Sequence, residues 1–288
     1  MLQVARLAPT QLGESRDLVA SFLRSHTNSD GGFQNRAGAS DLYYTVFGLD
    51  ALIALQEQVS VEQTAAYLTA RDLHALDFVH AACLARGYAA VRRVPSVSIV
   101  DRVLALIEGC RSADGGYATS PGARHGSAYA AFLALGAYED FGRELPRPQG
   151  VLSSLRGLRA KDGGYANHPA SAHGITPATA AAIVVRRRFG EQPDRETGMW
   201  LLDRCHRSGG FFASPAAPVP DLLSTATALH ALSTVGVPVA GVREPCLDFL
   251  DSLWTNRGGF FATWADDAPD CEYTYYALLA LGHLSVEP

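Results

Sequence analysis

The chain contains no stretch approaching the ~18 consecutive apolar residues that a membrane-crossing helix needs, so no span is expected. Its first residues, Met1-Leu-Gln-Val-Ala-Arg-Leu, lack the pattern of a secretory signal. Charge is scarce, at 18% of residues, and the formal net charge is −5. No basic field of the kind nucleic acid requires is present, and nucleic acid is excluded as a partner. The one basic run, Arg186-Arg-Arg188, reads as the solvated C-terminal end of a helix, where positive charge suits the dipole. Five cysteines, at 83, 110, 205, 246 and 271, form no CxxC pair. Scattered thiols of this kind point to a reducing, cytoplasmic setting.

What the chain does have is a recurring phrase. A Gly-Gly-aromatic turn leads through a polar loop to an apolar helix rich in small residues. It occurs at Asp30-Gly-Gly-Phe33, Asp114-Gly-Gly-Tyr117, Asp162-Gly-Gly-Tyr165, Gly209-Gly-Phe-Phe212 and Arg257-Gly-Gly-Phe260. The first glycines stand at 31, 115, 163, 209 and 258, with spacings of 84, 48, 46 and 49. The first interval therefore hides one unit without its glycines, expected over Thr64 to Val91. Six units at this period signal a helical repeat array.

Within each unit two kinds of helix are expected. In Ile99 to Ile107 the apolar positions 99, 103, 106 and 107 share one face at helical spacing. The segment from Ser127 to Tyr138 is apolar nearly all round, and such a helix must be buried on most sides. An open solenoid would expose the apolar helices. Closing the ring hides them inside a barrel, with the amphipathic helices around it. The expected fold is thus an all-α (α/α)6 toroid of six helix-hairpin repeats, a single domain over 1–288.

Several residues carry candidate chemistry. Asp41, Asp221 and Asp270 each precede an inner helix and stand four residues before a Thr. The plain reading of each is an N-cap. The functional reading places Asp221 and Asp270 as catalytic carboxylates at a barrel mouth, where parallel helix dipoles would suit an anionic group. Asp221, Asp270 and Cys271 together are a conceivable zinc set. Tyr43, Phe47, Tyr129, Phe132, Tyr273 and Tyr276 lie on inner helices. They are either core or the wall of an apolar, π-rich pocket. Asp266-Asp-Ala-Pro-Asp270 is acidic and reads as a solvated loop before a helix.

The motifs resemble a known family. Gly31-Gly-Phe-Gln-Asn-Arg36 with Asp41-Leu-Tyr is similar to the GGFxGR…DxC phrase of protein prenyltransferase β subunits. Ala172-His-Gly174 with Thr179 resembles their AHGGYTF phrase, and Asp270-Cys-Glu-Tyr-Thr-Tyr-Tyr resembles their last inner helix. Squalene and oxidosqualene cyclases share the repeat and the toroid. The resemblance implies a lumen for an isoprenoid chain. It places His173 against a diphosphate; Arg36, with Arg124 or His125, could receive the same group through charge-assisted bonds. It implies a zinc site at Asp221, Leu223 and Tyr273, but Leu223 and Tyr273 stand where the family has Cys and His. No metal cofactor is therefore expected, and the DxDD acid motif of the cyclases is absent as well. The implied ligand is an isoprenoid diphosphate or another apolar small molecule. The implied activity is an isoprenoid transferase or cyclase without the usual zinc. A non-catalytic binding or scaffolding toroid is the other reading. An α-subunit-like partner and a homodimer both stay open.

Overall fold

Each Gly-Gly turn ends an amphipathic helix and leads to an apolar one, and the fold follows from stacking that unit. The computed structural model describes residues 1–192 and 195–286. Two short helices, α1 (Leu2–Ala5) and α2 (Pro9–Leu12), come first. Six pairs follow. They are α3 (Arg16–Ser25) with α4 (Leu42–Ala54), α5 (Val61–Thr69) with α6 (Phe78–Ala90), and α7 (Val97–Gly109) with α8 (Ala128–Asp140). Then come α9 (Pro148–Gly157) with α10 (Thr176–Arg188), α11 (Arg195–Leu202) with α12 (Leu222–Val235), and α13 (Arg243–Ser252) with α14 (Cys271–Leu284). The pair α5 and α6 is the unit without glycines.

The second helix of each pair packs on the second helix of the next, and α14 packs back on α4. The six form a closed inner barrel, and the first helices of the pairs surround it. The starts of the inner helices lie at one end. Thr176 N–H donates to Ala213 O, and Leu222 N–H donates to Ala262 O, so each start is tied to the loop of the next unit. Small residues let the inner helices approach closely. Ala128, Ala130, Ala134, Ala182, Ala226, Ala228 and Ala231 are all fully buried.

The turns are anchored by two side chains. The aromatic after each glycine pair is buried, at Phe33, Tyr117, Tyr165, Phe211 and Phe260. Burying such a ring contributes about 1.5–3 kcal/mol. In four units a buried Thr on the inner helix accepts the aromatic's N–H. These are Thr45 with Phe33 at 2.9 Å, Thr179 with Tyr165 at 2.8 Å, Thr225 with Phe211 at 2.9 Å and Thr274 with Phe260 at 3.3 Å. The spacing of four between cap and Thr is thereby explained. The hydroxyl donates back to the cap residue's carbonyl and holds the turn against the helix start. In the first unit a two-residue ladder, β1 (Phe33–Gln34) with β2 (Ser40–Asp41), tightens the same loop.

Ring closure depends on glycine at the seam. Gly258 has φ +97°, and a Cβ there would lie 2.1 Å from Leu18 O on α3. The last turn can seat on the first outer helix only without a side chain. At the other end of the barrel α1 packs on α14 and α4. No helix among the described residues is long and apolar enough to cross a membrane.

Candidate functional site

The barrel mouth is built from helix caps. Asp41 accepts Tyr43 N–H at 2.8 Å and Tyr44 N–H at 3.2 Å. Asp77 accepts His80 N–H at 2.8 Å, and Asp270 accepts Tyr273 N–H at 2.9 Å. Asp221 spends one oxygen on Ser224 N–H and the other on Ser224 Oγ, both at 2.7 Å. Ser127 caps α8. Each cap contributes about 1 kcal/mol. At α4, α6, α12 and α14 the positive dipole end expected to receive an anion is thus met by the chain's own carboxylate, whereas α8 has a serine cap and α10 no side-chain cap.

One cation crosses this rim. Arg36 Nε donates to Asp270 Oδ2 at 2.8 Å, and its two terminal nitrogens bind Asp266 at 3.0 and 2.7 Å. Arg36 belongs to the first unit and both carboxylates to the last, so this clamp spans the seam. Asp270 is 3% exposed. Burial raises its pKa, against the bonds from Tyr273 N–H and Arg36. At Asp266 burial pulls the same way, but the Arg36 bonds prevail and the pKa is lowered.

Beside the clamp, Tyr43 donates its hydroxyl to Glu272 Oε1 at 2.6 Å. Glu272 is 9% exposed. Burial pushes its carboxyl up to about 7, although the Tyr43 bond favours the charged form. Among the described residues no hydrogen bond reaches Oε2. A solvent-open cavity of about 380 Å³ lies over this group, lined by Arg36, Tyr44, Thr263, Asp266, Glu272 and Tyr273.

Below the mouth the inner helices carry stripes that are not fully buried. Between the start of α8 and its exposed C-terminal end the incompletely buried positions are Tyr129, Phe132, Leu133 and Gly136. On α10 they are Pro177, Ala181 and Val184, and on α12 Leu223, Thr227 and His230. Each set repeats at three to four residues, one stripe of a helix. Inner helices are covered on their other sides, so these stripes face the barrel axis. The opposite wall is aromatic. Phe47 packs at 4.9 Å from Tyr43, 5.7 Å from Tyr275 and 5.3 Å from Tyr276, measured between ring centroids.

The residues singled out from sequence divide between these places. Tyr43, Phe47, Tyr273 and Tyr276 share the aromatic wall and the mouth. Tyr129 is 40% exposed at the top of its stripe, and Phe132 packs against the core. Arg36 and Asp270 meet in the clamp, whereas Asp221 is engaged by Ser224. His173 has a 68% exposed side chain and faces Asp162 at 3.6 Å. Asp162 holds the outer turn, accepting Gly164 N–H at 3.1 Å and Gly174 N–H at 3.0 Å. The preceding unit repeats this with His125 and Asp114 at 3.5 Å. His173 therefore occupies a position of the repeat on the outer rim, and its partner differs from those of Arg36. Glu272 was not recognised in the sequence. Its one local signal is an acidic residue in the first turn of an otherwise apolar inner helix.

The zinc set that the family resemblance implies is not met by these side chains. Leu223 has no donor atom, and burial pushes the Tyr273 phenol well up, against metal coordination. Cys271 is fully buried, and burial raises its thiol too. Among the described residues no three His, Cys, Asp or Glu side chains come together in a way that would hold a metal.

The family model of the prenyltransferase alpha-alpha toroid domain matches residues 6–80, 73–189 and 177–287. The chain belongs to this family. No curated protein matches it significantly in sequence. Among solved structures, this toroid is similar to the type II terpene cyclase MstE from Scytonema in complex with geranylgeranyl dihydroxybenzoate. The identity is 15% over 96% of this chain and 97% of that one, with a TM-score of 0.65. It is also similar to Candida albicans protein geranylgeranyltransferase-I complexed with GGPP. There the identity is 11% over 91% and 89%, with a TM-score of 0.66. A glycosidase variant in complex with glucose shares 12% identity over 98% of both chains, with a TM-score of 0.59. At these identities the likeness establishes the toroid alone.

Proposed function

We propose that this toroid binds an isoprenoid or similar apolar chain in its lumen and acts on the ligand's head at the mouth through Glu272. The observation that carries the reading is the position of Glu272. A carboxyl that burial pushes up to about 7 lines the mouth cavity and is bonded to Tyr43 of the aromatic cluster. A general acid–base group works best with a pKa near the operating pH. Tyr43 fixes one oxygen, which leaves Oε2 to hold or take up a proton at the ligand. The lumen supplies apolar contact at about 0.8 kcal/mol per buried methylene. Both an isoprenoid cyclase-like and a transferase-like reaction accommodate this arrangement, and the terpene cyclase and geranylgeranyltransferase likenesses support that class. Asp270 serves through the Arg36 clamp that orders the mouth, and Asp221 through the start of α12.

The rim's charge bears on the head group. Asp266, Asp270 and Glu272 surround Arg36, whose guanidinium is already engaged by two of them. A diphosphate would have to displace these carboxylates against their repulsion. A neutral head meets no such cost. The test is calorimetry with geranylgeraniol and geranylgeranyl diphosphate on the purified chain. Binding of the alcohol at least as tight as that of the diphosphate is expected. Diphosphate binding that is far tighter, and lost on His173→Ala, would move the head group to the outer rim. Binding of neither would leave the toroid as a scaffold.

A further inference from the structure

The lumen's far end is polar, which an ordinary hydrocarbon pocket has no use for. Asp50 on α4 continues the stripe of Tyr43 and Phe47, nine residues beyond its cap Asp41. At 1.5 Å per residue that is roughly 14 Å below the mouth. Asp50 is 4% exposed. Its Oδ2 accepts Arg86 Nε at 3.1 Å and Nη2 at 3.0 Å, and Arg86 Nη1 reaches Asp140 Oδ1 at 3.2 Å. Asp50 Oδ1 is buried and has no hydrogen-bond partner among the described residues. A buried acceptor left unpaired costs about 1–3 kcal/mol, more when charged, so the position calls for a donor.

Further donors and acceptors share with Asp50 the neighbourhood of the Met1 amino group. His230 Nδ1 and His283 Nε2 are 3.1 Å apart. Burial lowers the two imidazoles to about 3 and about 4, so both are neutral near pH 7. One ring donates to the other, and whichever does, the pair keeps one N–H and one bare nitrogen for a further partner. The Tyr275 hydroxyl, within electrostatic reach of Asp50 and Arg86, makes no hydrogen bond to a described residue. The amino group of Met1 also lies within electrostatic reach of Asp50, Arg86, His230 and His283. Arg86 offsets the carboxylate charge, which removes the need for a cationic ligand.

We infer that the floor of the lumen is a binding site for a hydroxyl group at the far end of the apolar chain, donating to Asp50 Oδ1 and accepting from an N–H or O–H of the floor. A hydroxyl offers one donor and two acceptor positions, the complement of what the floor presents. The ligand is then an apolar chain of about ten carbons carrying a terminal hydroxyl. This inference rests on the lumen-binding reading above, and the experiment separates the two.

The probes are geraniol, 8-hydroxygeraniol and the 8-amino analogue, titrated calorimetrically into the full chain. The diol is expected to bind at least tenfold tighter than geraniol. Asp50→Asn and His230→Phe are each expected to shrink that ratio severalfold. If Asp50→Asn fails to fold, His230→Phe carries the comparison. Equal affinity of geraniol and the diol, or a ratio untouched by His230→Phe, overturns the floor site and leaves lumen binding standing. An 8-amino analogue tighter than the diol overturns the hydroxyl class in favour of a cation. If none of the three binds but geranylgeraniol does, the floor site falls alone. If no chain of any length binds, the lumen reading falls and the floor site with it.

Discussion

The hydroxyl of Tyr43, on the first inner helix, lies 2.6 Å from Oε1 of Glu272, on the last. The two residues are 229 positions apart, and the bond forms because α14 closes the ring against α4. It joins the aromatic cluster to a mouth carboxyl that burial pushes up to about 7.

That carboxyl makes stability depend on pH. Glu272 holds its proton more tightly folded, at about 7, than unfolded, at 4.5. Between those values the folded state binds more protons, so its stabilising contribution is full below about 4.5 and is lost as pH rises through about 7. The size is on the order of 3 kcal/mol at most. Other carboxylates titrate too, so the quantity to measure is the difference between wild type and Glu272→Gln in urea unfolding across pH 4 to 8. The wild type should lose stability relative to the variant over that window. Parallel curves would show that Glu272 titrates normally. Tyr43→Phe removes a donor that favours the charged form and should shift the inflection upward.

The seam clamp should matter for folding. Arg36→Ala leaves Asp270 buried beside Asp266 without its counter-charge, a loss on the order of 3 kcal/mol. The urea midpoint should fall while the slope stays unchanged. A change below about 0.5 kcal/mol would mean that the clamp is an ordinary surface pair.

Two glycines with positive φ separate strain from crowding. Gly38 has φ +84° and nothing within 4 Å of a built Cβ, whereas Gly258 has φ +97° and a Cβ contact of 2.1 Å to Leu18 O. Gly38→Ala should cost about 1 kcal/mol from backbone strain alone. Gly258→Ala should cost severalfold more, because backbone on α3 must move. Equal costs would refute the tight seating of the last turn on the first outer helix.

Much of this architecture was legible in one dimension. The glycine spacing counted the units, and the hidden pair lies at 61–90, close to the interval expected for it. The contrast between amphipathic and all-round apolar helices decided which lie inside. Asp41, Asp221 and Asp270 were readable as caps because an N-cap is a contact between neighbours in sequence. These features are local, and local physics writes them into residue order.

The site was decided by closure. Sequence motifs put Arg36 and His173 together as head-group ligands, yet Arg36 lies in the seam with Asp266 and Asp270 while His173 repeats the outer-rim role of His125. Nothing near Glu272 in sequence announces a carboxyl near neutrality. Its state is set by burial and by Tyr43, and both come from helices brought together only when the last unit meets the first. Hydrogen bonding and desolvation act through space over a few ångströms. Residues hundreds of positions apart acquire them only once the ring is closed.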